Sequence, residues 1–409
     1  MKYRDRRAAL ALLGCCLTVF WPGAIAFGYP GVMGTYWQER FHVGAGETGA
    51  VVTFMLVGLA ACMFFSGQVH QRVGTRRCIL IGTGLTAVAM LVLIRAQSMG
   101  AVYFWGFLSN CGCSFLFGPA LTTAQQWLPH RRGLASGLLN LTFGLSAAIM
   151  SPIWEAMLSS VGYDAVNLSL LVCSVVTGLI ALPLAEGPDR VKLPPEGAAA
   201  QQALLERSAV RGGAAGPAAD YTVTQALRAR TFWLIWLLWV FMGAAGASMI
   251  SLSKSYAISL GLSSVVVLTA FNITNGVGRL IAGILCDRIG GETTGIIAFV
   301  LAALGYLLLP HAGGETVVAA LSACVGFGLG TLFTVTGPIA SQRFGLKHFG
   351  AIFGLIYTAY GFVGGVLGPA LSGVILDRTG GSYTAVFTYL AGCALVGVLL
   401  MILLRRTRS

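Results

Sequence analysis

The chain has 409 residues, 56% of them hydrophobic and only 10% charged, with a formal net charge of +12. A soluble globular protein carries roughly a quarter charged residues, so a soluble domain is excluded and a polytopic bundle of membrane-spanning helices is expected. The positive balance does not call for nucleic acid, because cationic loops on the cytoplasmic side of a membrane account for it.

In chain order, the N-terminus reads Met-Lys-Tyr-Arg-Asp-Arg-Arg and runs into an apolar stretch. That pattern is like a signal peptide, with Ala24-Ile-Ala26 as a cleavage site. The stretch continues to Trp37, however, so it is read as a retained first span. Twelve spans are expected, at 8–37, 48–68, 77–96, 101–127, 133–158, 164–185, 231–256, 263–286, 293–310, 316–340, 349–375 and 383–404. Residues 1–185 form one six-helix half and 231–409 the other. Between them, 186–230 is rich in Pro, Ala, Gly and charge and reads as a cytoplasmic linker, helical in part around Gln201 to Arg207. The ten Cys sit almost all in apolar runs and are read as packing residues; Cys111 and Cys113, two apart on one helix, face different ways and make no metal site.

Lys and Arg fix the orientation. With the N-terminus inside, 21 of the 26 basic residues fall in inner segments, while Arg40, Arg95, Lys254 and Arg378 lie outside. Both termini are then cytoplasmic, in a plasma membrane that for a bacterium is the inner one. The remaining cation is Arg279, inside the eighth span. No Asp, Glu, His or Lys shares its depth, because the acids and histidines fall in tails, loops, the linker or helix ends.

At about 100° per residue, Asn272, Asn275 and Arg279 fall at about 0°, 300° and 340° and share one helix face. A charge at this depth costs about 2.5–3.5 kcal/mol on insertion scales, so it needs a partner or a wet cavity. The expected partner is the substrate, a small carboxylate that the planar guanidinium grips with two bonds. The alternative is a structural Arg bound to helix carbonyls or water. Asn275 either orients the guanidinium, binds substrate, or satisfies another helix; Asn272 is a weaker candidate of the same kind. Asn140 and the Gln125-Gln126 pair read first as helix–helix glue.

The halves repeat. Gly67-Gln-Val-His-Gln71-Arg72-Val-Gly74 follows the second span, and Gly283-Ile-Leu-Cys-Asp287-Arg288-Ile-Gly290 follows the eighth, 216 residues later. Gly133, Gly137, Gly144 and Pro152 answer to Gly350, Gly354, Gly361 and Pro369 at an offset of 217. Two parallel halves of this kind are a transporter architecture.

At these residues the chain resembles the major facilitator superfamily, whose signature loop is Gly-x-x-x-Asp-Arg-x-Gly. The first copy departs from it, with Gln71 at the Asp position, so the resemblance implies a weaker inner latch there; Arg72, Gln71, Asp287 and Arg288 are the implied gating residues. Within the superfamily the chain is similar to monocarboxylate transporters and oxalate/formate antiporters. Trp127-Leu-Pro-His-Arg131-Arg132-Gly-Leu-Ala-Ser-Gly137 resembles their loop into the fifth helix, and Gly368-Pro369 with Asp377-Arg-Thr-Gly380-Gly-Ser-Tyr383 resembles their exit from the eleventh. Asn275-x-x-x-Arg279 resembles the Asp-x-x-x-Arg of monocarboxylate transporters, with Asn for Asp. Tyr357-Thr-Ala-Tyr360-Gly361 resembles the Tyr-Thr-Ala-Lys-Gly of oxalate carriers, with Tyr360 for Lys.

The resemblance implies alternating access with a monoanion, since one buried cation leaves a dianion such as oxalate half unpaired. Lactate, pyruvate, acetate and formate all fit. Tyr357 and Tyr360 offer hydroxyls to it or pack, and Phe333, Leu145, Phe27 and Tyr29 are candidates to close an apolar pocket, although ordinary core packing is the first reading of these four. Proton symport is the first expectation, although Asn275 removes the usual proton-carrying Asp; anion exchange and facilitated diffusion follow. The expected partners are thus the carboxylate, protons and lipid, with the chain a monomer. No cofactor, metal or catalytic residue is expected, and no nucleophile, paired carboxylate or phosphate loop supports an enzyme or an ATP-driven pump. A drug exporter of the same fold is the rival, disfavoured because the deep charge is positive.

Overall fold

The computed structural model describes residues 2–43, 45–188, 220–262 and 264–407, and every regular element in them is helical. The helices are α1 Lys2–Phe27, α2 Tyr29–Phe41, α3 Ala45–Val73, α4 Thr75–Ile94, α5 Met99–Trp127, α6 Arg132–Ser160, α7 Tyr163–Leu184, α8 Val223–Arg228, α9 Arg230–Ser259, α10 Ser264–Ile289, α11 Gly291–Leu308, α12 Glu315–Phe344, α13 Phe349–Thr358, α14 Leu371–Arg378 and α15 Tyr383–Arg406. The helical stretch expected around Gln201 to Arg207 lies outside the described residues. Past it, Thr222 opens α8 with a capping box, its side chain accepting from the Gln225 amide.

Each expected span coincides with a helix, and among the described residues ten helical segments are long and apolar enough to cross a membrane. Of the expected spans, α5 is described in full and is not among the ten; it is a more polar helix. Along α5, Ser109, Ser114 and Thr122 return their hydroxyls to carbonyls of their own helix. Along α10 the polar residues are Asn272, Asn275 and Arg279, the candidate site itself.

Three expectations need correction. The first span is broken: α1 ends at Phe27 and α2 starts at Tyr29, with Gly28 at the junction and Pro30 in the new first turn, where its missing N–H costs nothing. The eleventh is also irregular. Between α13 and α14 the backbone widens into π-helical turns at Ala359–Gly364 and Val366–Ala370. Pro369 removes one amide donor there. Finally, Glu292 is not a loop acid. It lies in the first turn of α11, buried and paired with Arg343 at 3.1 Å.

The chain divides into two compact units. The first comprises Met1–Ala135, Thr142–Tyr221 and Phe344–Leu355. In it α5 packs along α1, α3 and α4. Close approach depends on small residues; a Cβ on Gly58 would stand 2.2 Å from Phe107 O. An aromatic core of Tyr29, Trp37, Trp105 and Trp154 fills one region of this unit. Gly67 and Gly350 meet backbone to backbone, and His348 Nδ1 lies 3.0 Å from Gln71 Oε1. Gln71 thus hydrogen-bonds where the signature loop has a carboxylate.

The second unit comprises Ser136–Leu141, Thr222–Arg343 and Ile356–Ser409. In it α9 packs on α15 and on the π-helical turns, and α11 packs on α15. Gly368 gives α9 its approach: a Cβ there would stand 2.5 Å from Ala244 O. Gly326 and Gly330 do the same for α12 against α10, where Cβ atoms would stand 2.3 Å from Phe271 O and 2.5 Å from Asn275 O. The repeat loops keep one backbone shape. Gly74 (φ 82°, ψ 175°) and Gly290 (φ 89°, ψ 151°) both adopt a conformation that L side chains avoid, and each starts the next helix.

Gly330→Val should lower the unfolding temperature of the detergent-purified protein by several degrees, since overpacking against backbone costs about 1–3 kcal/mol. Gly392→Ala, where nothing lies within 4 Å of the added Cβ, should leave it unchanged; differential scanning fluorimetry reads both.

Candidate functional site

The site is built on α10. Its face carries Asn272 exposed, Asn275 half-buried and Arg279 with no exposed surface. The spacing of four places Asn275 one turn behind the arginine, and the structure uses both of its oxygens. Arg279 Nε donates to Asn275 O at 3.1 Å, and Nη2 donates to Asn275 Oδ1 at 3.3 Å. Nη1 reaches across to Asn140 O at 3.3 Å. The guanidinium carbon lies 4.6 Å from the centroid of the Phe333 ring, over its face. These four contacts are with neutral groups. They orient the fork and spread its charge.

Around Phe333 stands an aromatic box. Trp239 on α9 meets Phe333 edge-on at 4.9 Å, Tyr357 at 4.5 Å and Tyr360 at 5.5 Å between centroids. Phe333 in turn lies 6.2 Å from Tyr357 and 5.8 Å from Tyr360. All four rings are buried. The π-helical turn begins at Ala359, so Tyr360 sits where the helix widens; such turns recur at functional sites. Gly243 admits the Tyr360 ring, with a Cβ there standing 2.9 Å from Tyr360 Cδ2.

Arg279, Asn275, Phe333, Tyr357 and Tyr360 therefore come together in the second unit, with Asn272 farther along the same helix face. Phe27, Tyr29 and Leu145 belong to the first unit. Of these, Tyr29 has no exposed surface; it packs against Trp37, Trp105 and Trp154 and its hydroxyl donates to Asn167 Oδ1. It is a core residue rather than a pocket wall. Phe27 is 40% exposed and touches Phe143 edge-on. Leu145 is half-buried. Arg72, Asp287 and Arg288 are exposed.

Two residues at the site were not singled out for it by sequence. Trp239 follows Phe232 and Trp236 at helical spacing, a pattern that reads as packing. Asn140 was read as glue, and its Nδ2 does donate to Ser136 O at 2.9 Å and Phe333 O at 3.5 Å. Its backbone oxygen also holds Arg279. Among the described residues there is no group of three or more His, Cys, Asp or Glu that could hold a metal ion.

Asn275→Leu should lower thermal stability by about 1–3 kcal/mol, because a buried guanidinium donor loses its side-chain acceptor. Asn272→Leu, on the exposed part of the face, should change it by less than about 0.5 kcal/mol. Thermal unfolding of the two variants side by side checks the contrast.

Comparison with known proteins gives one consistent answer. The model of the Major Facilitator Superfamily matches residues 15–363 and 266–409. Monocarboxylate transporter 13 of Bos taurus is 27% identical over 395 residues, covering 93% of this chain and 86% of its own. The oxalate:formate antiporter of Oxalobacter formigenes is 24% identical over 333 residues, covering 80% and 76%. The crystal structure of the E. coli transporter FucP in the outward conformation aligns over 98% of both chains with a TM-score of 0.74 at 15% identity, a likeness of fold alone.

Proposed function

Because this chain belongs to the Major Facilitator Superfamily, we propose that it carries small monocarboxylates, lactate- or pyruvate-like, across the plasma membrane together with protons. It is a multi-pass membrane transporter, not an enzyme. The observation that carries the substrate reading is the Arg279 guanidinium, without exposed surface, fixed by Asn275, Asn140 and Phe333. Neutral oxygens and a ring face solvate a cation only partly, so the site attracts an anion, and in low dielectric that attraction is strong. One such cation matches one carboxylate. Tyr360 stands where oxalate carriers have Lys, which favours a monoanion, and the box of Trp239, Phe333, Tyr357 and Tyr360 suits a short alkyl chain.

The transport cycle follows from charge. A bound carboxylate neutralises the cation, so the loaded protein rocks more easily between inward and outward states. The halves 1–185 and 231–409 are the rocking bodies, joined by the linker 186–230, with both termini cytoplasmic and the chain acting as a monomer in a bacterial inner membrane. The exposed Arg72, Gln71, Asp287 and Arg288 serve as the inner latch. A second reading, anion exchange, draws on the similarity to an antiporter and on Asn275, which cannot carry a proton.

Purified protein in liposomes should take up labelled lactate faster under an inward proton gradient. Uptake that ignores the gradient and requires internal anion would assign exchange instead. Arg279→Lys keeps the charge but loses the two-pronged fork, and uptake should fall roughly tenfold or more. Wild-type uptake by that variant would remove Arg279 from the site. Asn275→Asp places a carboxylate against the guanidinium. Ionised, it competes with substrate; protonated, it releases the fork. Uptake by this variant should therefore decline more steeply with rising pH than that of the wild type.

A further inference from the structure

Beside the guanidinium, two fully buried polar atoms lack a hydrogen-bond partner: Asn140 Oδ1 and Trp239 Nε1. Buried polar atoms in folded proteins are nearly always paired, so two such exceptions next to the candidate site call for an explanation. The amide of Asn140 is unambiguous in orientation. Its other atom faces two carbonyl oxygens, Ser136 O and Phe333 O, and must be the NH2 donor. Oδ1 is then the acceptor, on the opposite side of the amide. The indole N–H of Trp239 can only donate. The two atoms are of opposite kind, and their residues share one neighbour: the Asn140 side chain bonds the Phe333 backbone, the Trp239 ring abuts the Phe333 ring, and Arg279 lies on the face of that ring. Asn140 O also accepts from Arg279 Nη1, so the backbone of this residue touches the guanidinium.

We propose that Asn140 Oδ1 and Trp239 Nε1 form a hydroxyl-recognition pair that selects 2-hydroxy acids among small carboxylates. A hydroxyl both donates and accepts, so one such group on the carbon beside the carboxylate satisfies both atoms: its proton goes to Asn140 Oδ1, and its oxygen takes the Trp239 N–H. A 2-oxo group can take only the indole N–H and leaves Asn140 Oδ1 without a donor. A plain methylene satisfies neither. The inference rests on the reading of Arg279 as the carboxylate anchor.

Lactate, pyruvate and propionate differ in this one group. The test measures how strongly each, unlabelled, competes with labelled L-lactate uptake into liposomes. Wild type should rank lactate above pyruvate above propionate, with roughly tenfold between neighbours, since a site that hydrogen-bonds a substrate group rejects analogues that lack it. Trp239→Phe should bring pyruvate and propionate to within about twofold of each other. Asn140→Leu should do the same for lactate and pyruvate. Ratios within one variant do not depend on how much of it folds, and the wild-type ranking decides by itself if neither variant survives purification. Equal competition by all three acids in the wild type would mean that a water bridges the two atoms, overturning the pair while leaving the carboxylate reading intact. Unchanged ratios in both variants would overturn it too. No uptake of labelled lactate at all would sink the anchor and the pair together.

Discussion

The guanidinium of Arg279 has no exposed surface, and much of the second unit is arranged around holding it there. An unsolvated cation is costly, several kcal/mol even after relaxation. The unit answers with oxygen atoms of Asn275 and Asn140 and with the face of Phe333. The Phe333 face reaches the cation only because α12 lies almost against α10. Gly326 and Gly330 permit that approach, because a side chain at either would collide with the α10 backbone. The charge, the ring and the glycines therefore stand or fall together.

The same requirement shapes α10. Asn272, Asn275 and Arg279 share one face of it, and Phe271, which flanks that face, is fully buried. The eleventh expected span makes a different concession. Glycines at 361, 364, 365 and 368 with Pro369 weaken regular helix, and the backbone relaxes into π turns where Tyr360 joins the box. Wide turns expose extra backbone oxygen and yield more easily than regular helix.

What could be read from the chain followed from physics local to it. Arg279 with Asn275 is an i, i+4 pair, and any helix brings the two together. Gly74 and Gly290 stand where the backbone needs positive φ, so the repeated loops were visible as a motif. Asn140 and Trp239 were not visible as site residues. Their role depends on which helices cross and at what height, and no periodicity encodes that. Tyr29 was open to two readings, core first and pocket wall second, and three tryptophans from α2, α5 and α6 enclose it. The break at Gly28 was masked by hydropathy, which sees an unbroken apolar run through Pro30.

The internal repeat survives as geometry more faithfully than as residue type. At the 216 offset Arg76 answers to Glu292, opposite charges at equivalent places in the first turn after the repeated loop. In the first unit Arg76 pairs with Glu186 at 2.7 Å and donates to Leu182 O, at the end of α7. In the second, Glu292 holds Arg343, and it is Arg343 that donates to Leu404 O and Thr407 O, at the end of α15. Either way a guanidinium caps the closing carbonyls of a six-helix half, where the helix dipole favours a cation. The swap is tolerable because the carbonyls specify only a cation and its height. Which helix supplies it is free, provided that a carboxylate sits alongside. Glu292 has the further advantage of lying in the first turn of α11, where the dipole of its own helix favours a negative charge. The duplicated scaffold thus constrains the sign of charge at helix ends, not the identity of the residues that deliver it.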